Sequence, residues 1–140
     1  MKNQSFRFLL LLAIASLFGA LAARAEAVLA GNPGIAGQTL DAEGIKAVLL
    51  GKKPMLGNVR VVVIIAKTGD AQEAFLKDRV GMSASQFQTH WRRLFMTGGG
   101  TAPKIVETEA EACKLAAETP GGVVIADRAA IGGLAVLAGK

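Results

Sequence analysis

Residues 61–75 read VVVIIAKTGDAQEAF, from Val61 to Phe75. The first half is a β-branched run ending at Ala66, and the second half spaces its apolar residues as a helix does. The run begins at Val59, is interrupted by Arg60, and shows no alternation after it. A strand buried on both faces has this pattern, so helices are expected above and below the sheet. Between strand and helix stand Lys67, Thr68, Gly69 and Asp70. Such a junction aims unpaired N–H groups, and roughly half a positive charge, at one point. An oxyanion there would find charge on Lys67, a hydroxyl on Thr68, close backbone approach at Gly69, and the helix start at Asp70 and Ala71. The competing reading is a plain helix start, in which Asp70 caps the same N–H groups and its carboxylate repels an anion.

Downstream, Asp70-Ala71-Gln72-Glu73 and Ser83-Ala84-Ser85-Gln86 both have the form of a capping box, which predicts two helices. In the second, Phe87, Trp91, Leu94 and Phe95 make one apolar stripe, expected in the core, while Gln88, Arg92 and Arg93 face elsewhere. His90 borders the stripe as a partly buried structural residue. No second ligand stands at metal-binding spacing, so no metal is assigned. Thr97-Gly98-Gly99-Gly100-Thr101 follows a helix and lacks the Gly-Lys-Ser/Thr ending of a nucleotide loop, so it reads as a helix stop. Thr108 to Glu111 is a further capping box, opening a helix to Glu118. Thr119-Pro120-Gly121-Gly122 breaks that helix before a strand at Val123–Ala126, and a last strand is expected at Leu134–Leu137.

Upstream, the apolar run Glu26–Ala30 ends at Gly31-Asn32-Pro33-Gly34, a dense turn signal. A helix is predicted over Asp41–Leu50, capped by Asp41, stapled by Leu40 and Ile45, and stopped by Gly51. The turn before it, with Asn32, Gly34, Gln38 and Thr39, is a second candidate oxyanion point. Strands and helices alternate, so the class is α/β, a small mixed sheet with helices on both faces. The expected core holds Val61, Val63, Ile65, Phe75, Phe87, Trp91, Leu94, Leu115, Val123 and Ile125.

The first residues read differently. Lys2 and Arg7 precede an apolar stretch from Phe8 to Ala22, and Ala23-Arg24-Ala25 places small residues at a cleavage point. This is the order of a secretory signal peptide, shorter than the ~20 apolar residues of a membrane span. Residues 1–25 are therefore expected to be removed, leaving a periplasmic or secreted domain over 26–140. No cysteine follows the apolar run to carry a lipid. Of 16 basic residues, Lys2, Arg7 and Arg24 leave with the signal, so 13 remain against 11 acidic ones, a net +2. Scattered basic residues at that charge disfavour nucleic acid as a partner. Cys113, the one cysteine, is expected to be buried in a helix.

Four stretches taken together resemble the phosphate-binding subunits of ABC-type importers, the type 2 periplasmic binding proteins. LDAEGIKAVLLGKK (40–53) is similar to the family's helix with a Leu-Gly-Lys ending. VRVVVIIAKTGDAQEAFLK (59–77) is similar to the strand, binding turn and helix. QFQTHWRRLFMTGGGTAPK (86–104) resembles a helix with Trp and Arg before a Thr-Gly-rich loop, and ACKLAAETPGGVVIAD (112–127) a helix, Pro-Gly turn and strand. The resemblance implies one lobe of a hinged binding protein, with phosphate or a similar oxyanion at helix starts facing a cleft. It also implies an ABC importer as partner. The chain departs from the family at two places. Lys67-Thr68-Gly69-Asp70 stands where the family has Arg and Ser-Gly-Thr, and Val124-Ile125 stands for its Gly-Tyr. The domain is also too short for two lobes, so closure would need a second protomer or another partner. No catalytic constellation is present, and no cofactor is implied. The leading expectation is an exported, non-catalytic solute-binding-like protein. The alternative is an envelope interaction protein that reuses the lobe without a ligand.

Overall fold

The computed structural model describes residues 26–98 and 102–138. Residues 1–25, expected to form a signal peptide, and the Gly99-Gly100-Thr101 part of the glycine run lie outside the described residues. Five strands form one mixed sheet in the order β5-β4-β6-β1-β7. They are β1 (Ala27–Gly31), β4 (Val62–Ala66), β5 (Lys104–Val106), β6 (Gly122–Asp127) and β7 (Ala135–Ala138). β4 runs parallel to both β5 and β6, while β1 runs antiparallel to β6 and to β7.

The unbroken apolar run of β4 has the cause expected of it. Val63 and Ile65 enter one core, and Ile64 and Ala66 enter another on the opposite face. The first core is covered by α1 (Ala42–Leu49), α2 (Asp70–Phe75) and α3 (Ala84–Met96), and the second by α4 (Glu109–Glu118). The fold is α/β, with helices on both faces of the sheet.

The strand is shorter than its sequence pattern. Val59–Arg60 forms β3, which pairs with β2 (Met55–Leu56) in a separate hairpin. The break has a steric cause at Gly121, whose φ of +75° suits glycine and where a Cβ would collide with the Arg60 carbonyl. The Gly121 carbonyl then accepts from Val62 N–H at 2.9 Å and starts the main ladder.

Local signals set the helix starts, with two corrections. Asp41 accepts from Gly44 N–H at 2.7 Å, and Ser83 and Gln86 make a reciprocal capping box. Asp70 is not a cap. The N-cap of α2 is Gly69, with φ +154° and no side-chain capping bond, so Asp70 is already the first helical residue. Glu73 closes no box either; its carboxylate accepts from Ala84 N–H at the start of α3. The Thr108 box is half made. Thr108 accepts from Glu111 N–H, but the Glu111 carboxylate accepts from Glu107 N–H.

The ten expected core residues are buried apart from Leu94 and Leu115, which are half-buried. Phe95 departs from its stripe and stands exposed, lining an open groove with Ile105 of the edge strand β5. α3 crosses the end of α1. The Trp91 indole N–H donates to the Leu49 carbonyl and the His90 ring meets the Leu50 carbonyl, each at 2.9 Å. These contacts satisfy two carbonyls that a helix end leaves open. Among the described residues no helix is long and apolar enough to cross a membrane.

Candidate functional site

Adjacent parallel strands β4 and β5 both end in short loops that lead into helices, β4 into α2 and β5 into α4. In open α/β sheets the crevice beyond the carboxyl ends of parallel strands is where ligands collect. The Lys67–Ala71 turn sits there.

Three bonds tie the two loops together. Lys67 N–H donates to the Val106 carbonyl at 2.9 Å. The Lys67 ammonium bridges to the Glu107 carboxylate at 2.6 Å, and the Thr68 hydroxyl donates to the Glu107 carbonyl at 2.9 Å. Lys67 and Thr68 are therefore engaged by one residue that the sequence reading did not single out. Both ends of the ion pair are exposed, with 54% and 67% of their side chains accessible. An exposed pair of this kind is worth about 0–1 kcal/mol, so a competing anion can open it cheaply.

The backbone half of the turn is open. A Cβ placed on Gly69 would meet nothing within 4 Å, and no side chain caps α2. Asp70 is exposed at the first helical position, where its charge favours the helix and opposes an incoming anion. Ala71 is buried behind it. The turn is anchored from below by Gln72, a buried polar residue at 3% exposure. Its amide accepts from Ala66 N–H and donates to the Ala66 carbonyl.

The second candidate cluster lies elsewhere. β1 is antiparallel to β6, with Gly31 opposite Val123, and β6 is parallel to β4, with Val123 opposite Val63. Asn32, Gly34, Gln38 and Thr39 therefore follow the end of β1 that lies at the amino end of β4. Lys67 leaves the carboxyl end, roughly 15 Å away along the strand. Asn32 is also fully occupied. Its oxygen accepts from Gly34 N–H, and its amide donates to the Ala116 and Ala117 carbonyls at the end of α4. Asn32 thus clamps the turn after β1 to α4, and the cluster does not join the Lys67 turn.

Two reactive-looking side chains have structural surroundings. Cys113 lies buried on α4 in the second core, where burial, and then the charge of Glu109, push its thiol above the ordinary range. His90 is held against α1. No group of three or more metal-ligating side chains exists among the described residues.

No protein-family model matches this chain, and no curated protein matches it either.

Proposed function

We propose that the protein is an exported, non-catalytic binding protein. It would take phosphate or a similar oxyanion at the Lys67–Ala71 turn, as a single lobe of the type 2 periplasmic-binding kind. The observation that carries this reading is the uncapped start of α2, standing at the carboxyl end of a strand with parallel neighbours on both sides. An anion bound there would accept from backbone N–H groups near Gly69 to Gln72 and draw Lys67 away from Glu107. Closure over the ligand would come from a second protomer or from an ABC-type importer.

One observation favours the second reading, an envelope interaction protein without a ligand. Glu107 already engages both Lys67 and Thr68, the two side chains that would hold the anion. Amide chemical shifts followed during a titration with inorganic phosphate separate the two. The binding reading predicts saturable shifts centred on Gly69, Asp70 and Ala71. Shifts that never saturate, or that scatter over the surface, support the interaction reading.

A further inference from the structure

On the α3 side of β5, away from the Lys67 turn, Trp91, Arg92, Phe95, Pro103 and Ile105 line a groove of about 280 Å³. Its rim is apolar and open. Phe95 is 62% exposed and Ile105 52%, and Met96, next to Phe95 on the last turn of α3, is 79% exposed. At about 200 Å² for each large side chain, the two that line the groove, Phe95 and Ile105, expose roughly 230 Å². A stable protein–protein interface buries about 800 Å² on each partner, of which about 450 Å² is apolar, so the patch is about half of what a second copy would require.

The backbone beside the groove narrows the occupant further. β5 is an edge strand. The Val106 carbonyl faces β4, since it accepts from Lys67 N–H. Strand alternation then turns the N–H and C=O of Ile105 outward. Pro103 has no N–H, and Glu107 N–H is held by Glu111. The free edge is thus one residue's donor and acceptor long, enough to set the register of an extended segment but too short to join two sheets.

Charge supplies the remaining constraint. Arg92 lines the groove, and Lys104 flanks Ile105 on the other face of β5. Neither takes part in any of the four ion pairs seen among the described residues. Glu107, the acid just beyond β5, is already neutralised by Lys67.

We propose that the groove between α3 and β5 binds an extended peptide segment of alternating apolar and acidic residues, laid as an added strand against β5. An apolar side chain beside Ile105 enters between Phe95 and Trp91, and its acidic neighbours, which point to the opposite face, meet Lys104. The segment belongs to a partner protein. The site does not use the oxyanion turn, so either can exist without the other.

Trp91 is the only tryptophan, so its fluorescence reports the groove directly. The probe is an end-blocked octapeptide alternating valine and glutamate, compared with one alternating valine and lysine. Wild-type protein is expected to show a saturable change with the glutamate peptide, and affinity at least about tenfold weaker for the lysine peptide. Lys104→Glu, at an exposed position, should abolish that preference while circular dichroism stays unchanged. Three results would overturn the proposal: no saturable change up to about 1 mM, equal affinity for the two peptides, or a wild-type dimer in sedimentation that Ile105→Asp dissolves. The last would make a second copy the occupant. The comparison of the two peptides needs no variant, so a misfolded mutant cannot blur the outcome.

Discussion

The side-chain amide of Gln72 closes both backbone groups of Ala66, accepting from its N–H at 3.1 Å and donating to its carbonyl at 2.9 Å. Ala66 is the last residue of β4, and Gln72 lies on the first turns of α2. One buried side chain therefore does the work of a ladder partner and bolts the helix to the strand end, fixing the turn between them. Removing it leaves a buried donor and acceptor unpaired, each costing about 1–3 kcal/mol. Gln72→Ala is expected to lower stability by about 2 kcal/mol or more in urea melts. A loss below about 0.5 kcal/mol would mean that water satisfies Ala66.

Trp91 joins α3 to α1 through its ring and its indole N–H. Trp91→Ala should cost roughly 3–5 kcal/mol, and Trp91→Phe about 1 kcal/mol for the lost bond to Leu49. Denaturant melts followed by circular dichroism measure both. Equal losses in the two variants would show that the hydrogen bond, rather than packing, carries the contact.

The buried Cys113 thiol gives a pH signature with a definite sign. Burial raises its pKa in the folded chain. Its stabilising contribution is complete below the unfolded thiol's value, about 8.5, and is lost as pH rises toward the folded value. Above that lower limit the unfolded chain releases a proton that the folded chain retains, so stability falls with pH. Cys113→Ala should flatten this alkaline decline. An unchanged slope would place the titrating group elsewhere. In the native protein the thiol should also resist a disulfide reagent at neutral pH and react on unfolding.

Asp70, at the first helical position of α2, should act on ligand and fold in opposite directions. Asp70→Asn removes a charge favourable to the helix start, at about 0.3–1 kcal/mol. The same change should strengthen phosphate binding. Binding weakened by Asp70→Asn would mean that Asp70 is itself a ligand contact.

What the sequence showed clearly was what neighbouring residues decide. The double burial of β4 is visible in its unalternating run, and the Ser83–Gln86 box is visible because its partners are three residues apart. Asp41 and Gly51 mark the first helix for the same reason. The sequence pattern places the cap of α2 one residue late, at Asp70, because the chain enters the helix through the positive φ of Gly69 and not through a capping carboxylate. β5 was missed since its three residues gain their form from pairing with β4, at long range. Glu107, which follows it and engages Lys67 and Thr68, was missed for that reason. Phe95 shares the helical phase of the core stripe, but sequence phase does not reveal that it faces an open groove at the sheet edge.

Oxyanion binding at the Lys67 turn, as proposed, requires that Glu107 be displaced from Lys67. Calorimetric titration of inorganic phosphate at low salt into wild type and Glu107→Gln tests it most directly. Glu107→Gln removes the carboxylate that occupies Lys67 while leaving the carbonyl that holds Thr68, and an exposed ion pair is worth little to stability. Saturable heat is expected in both proteins, with the variant binding at least about fivefold tighter and losing affinity as salt rises. Silence in both proteins up to millimolar phosphate, on the order of the weakest useful affinity, would contradict it and leave an interaction protein without a ligand.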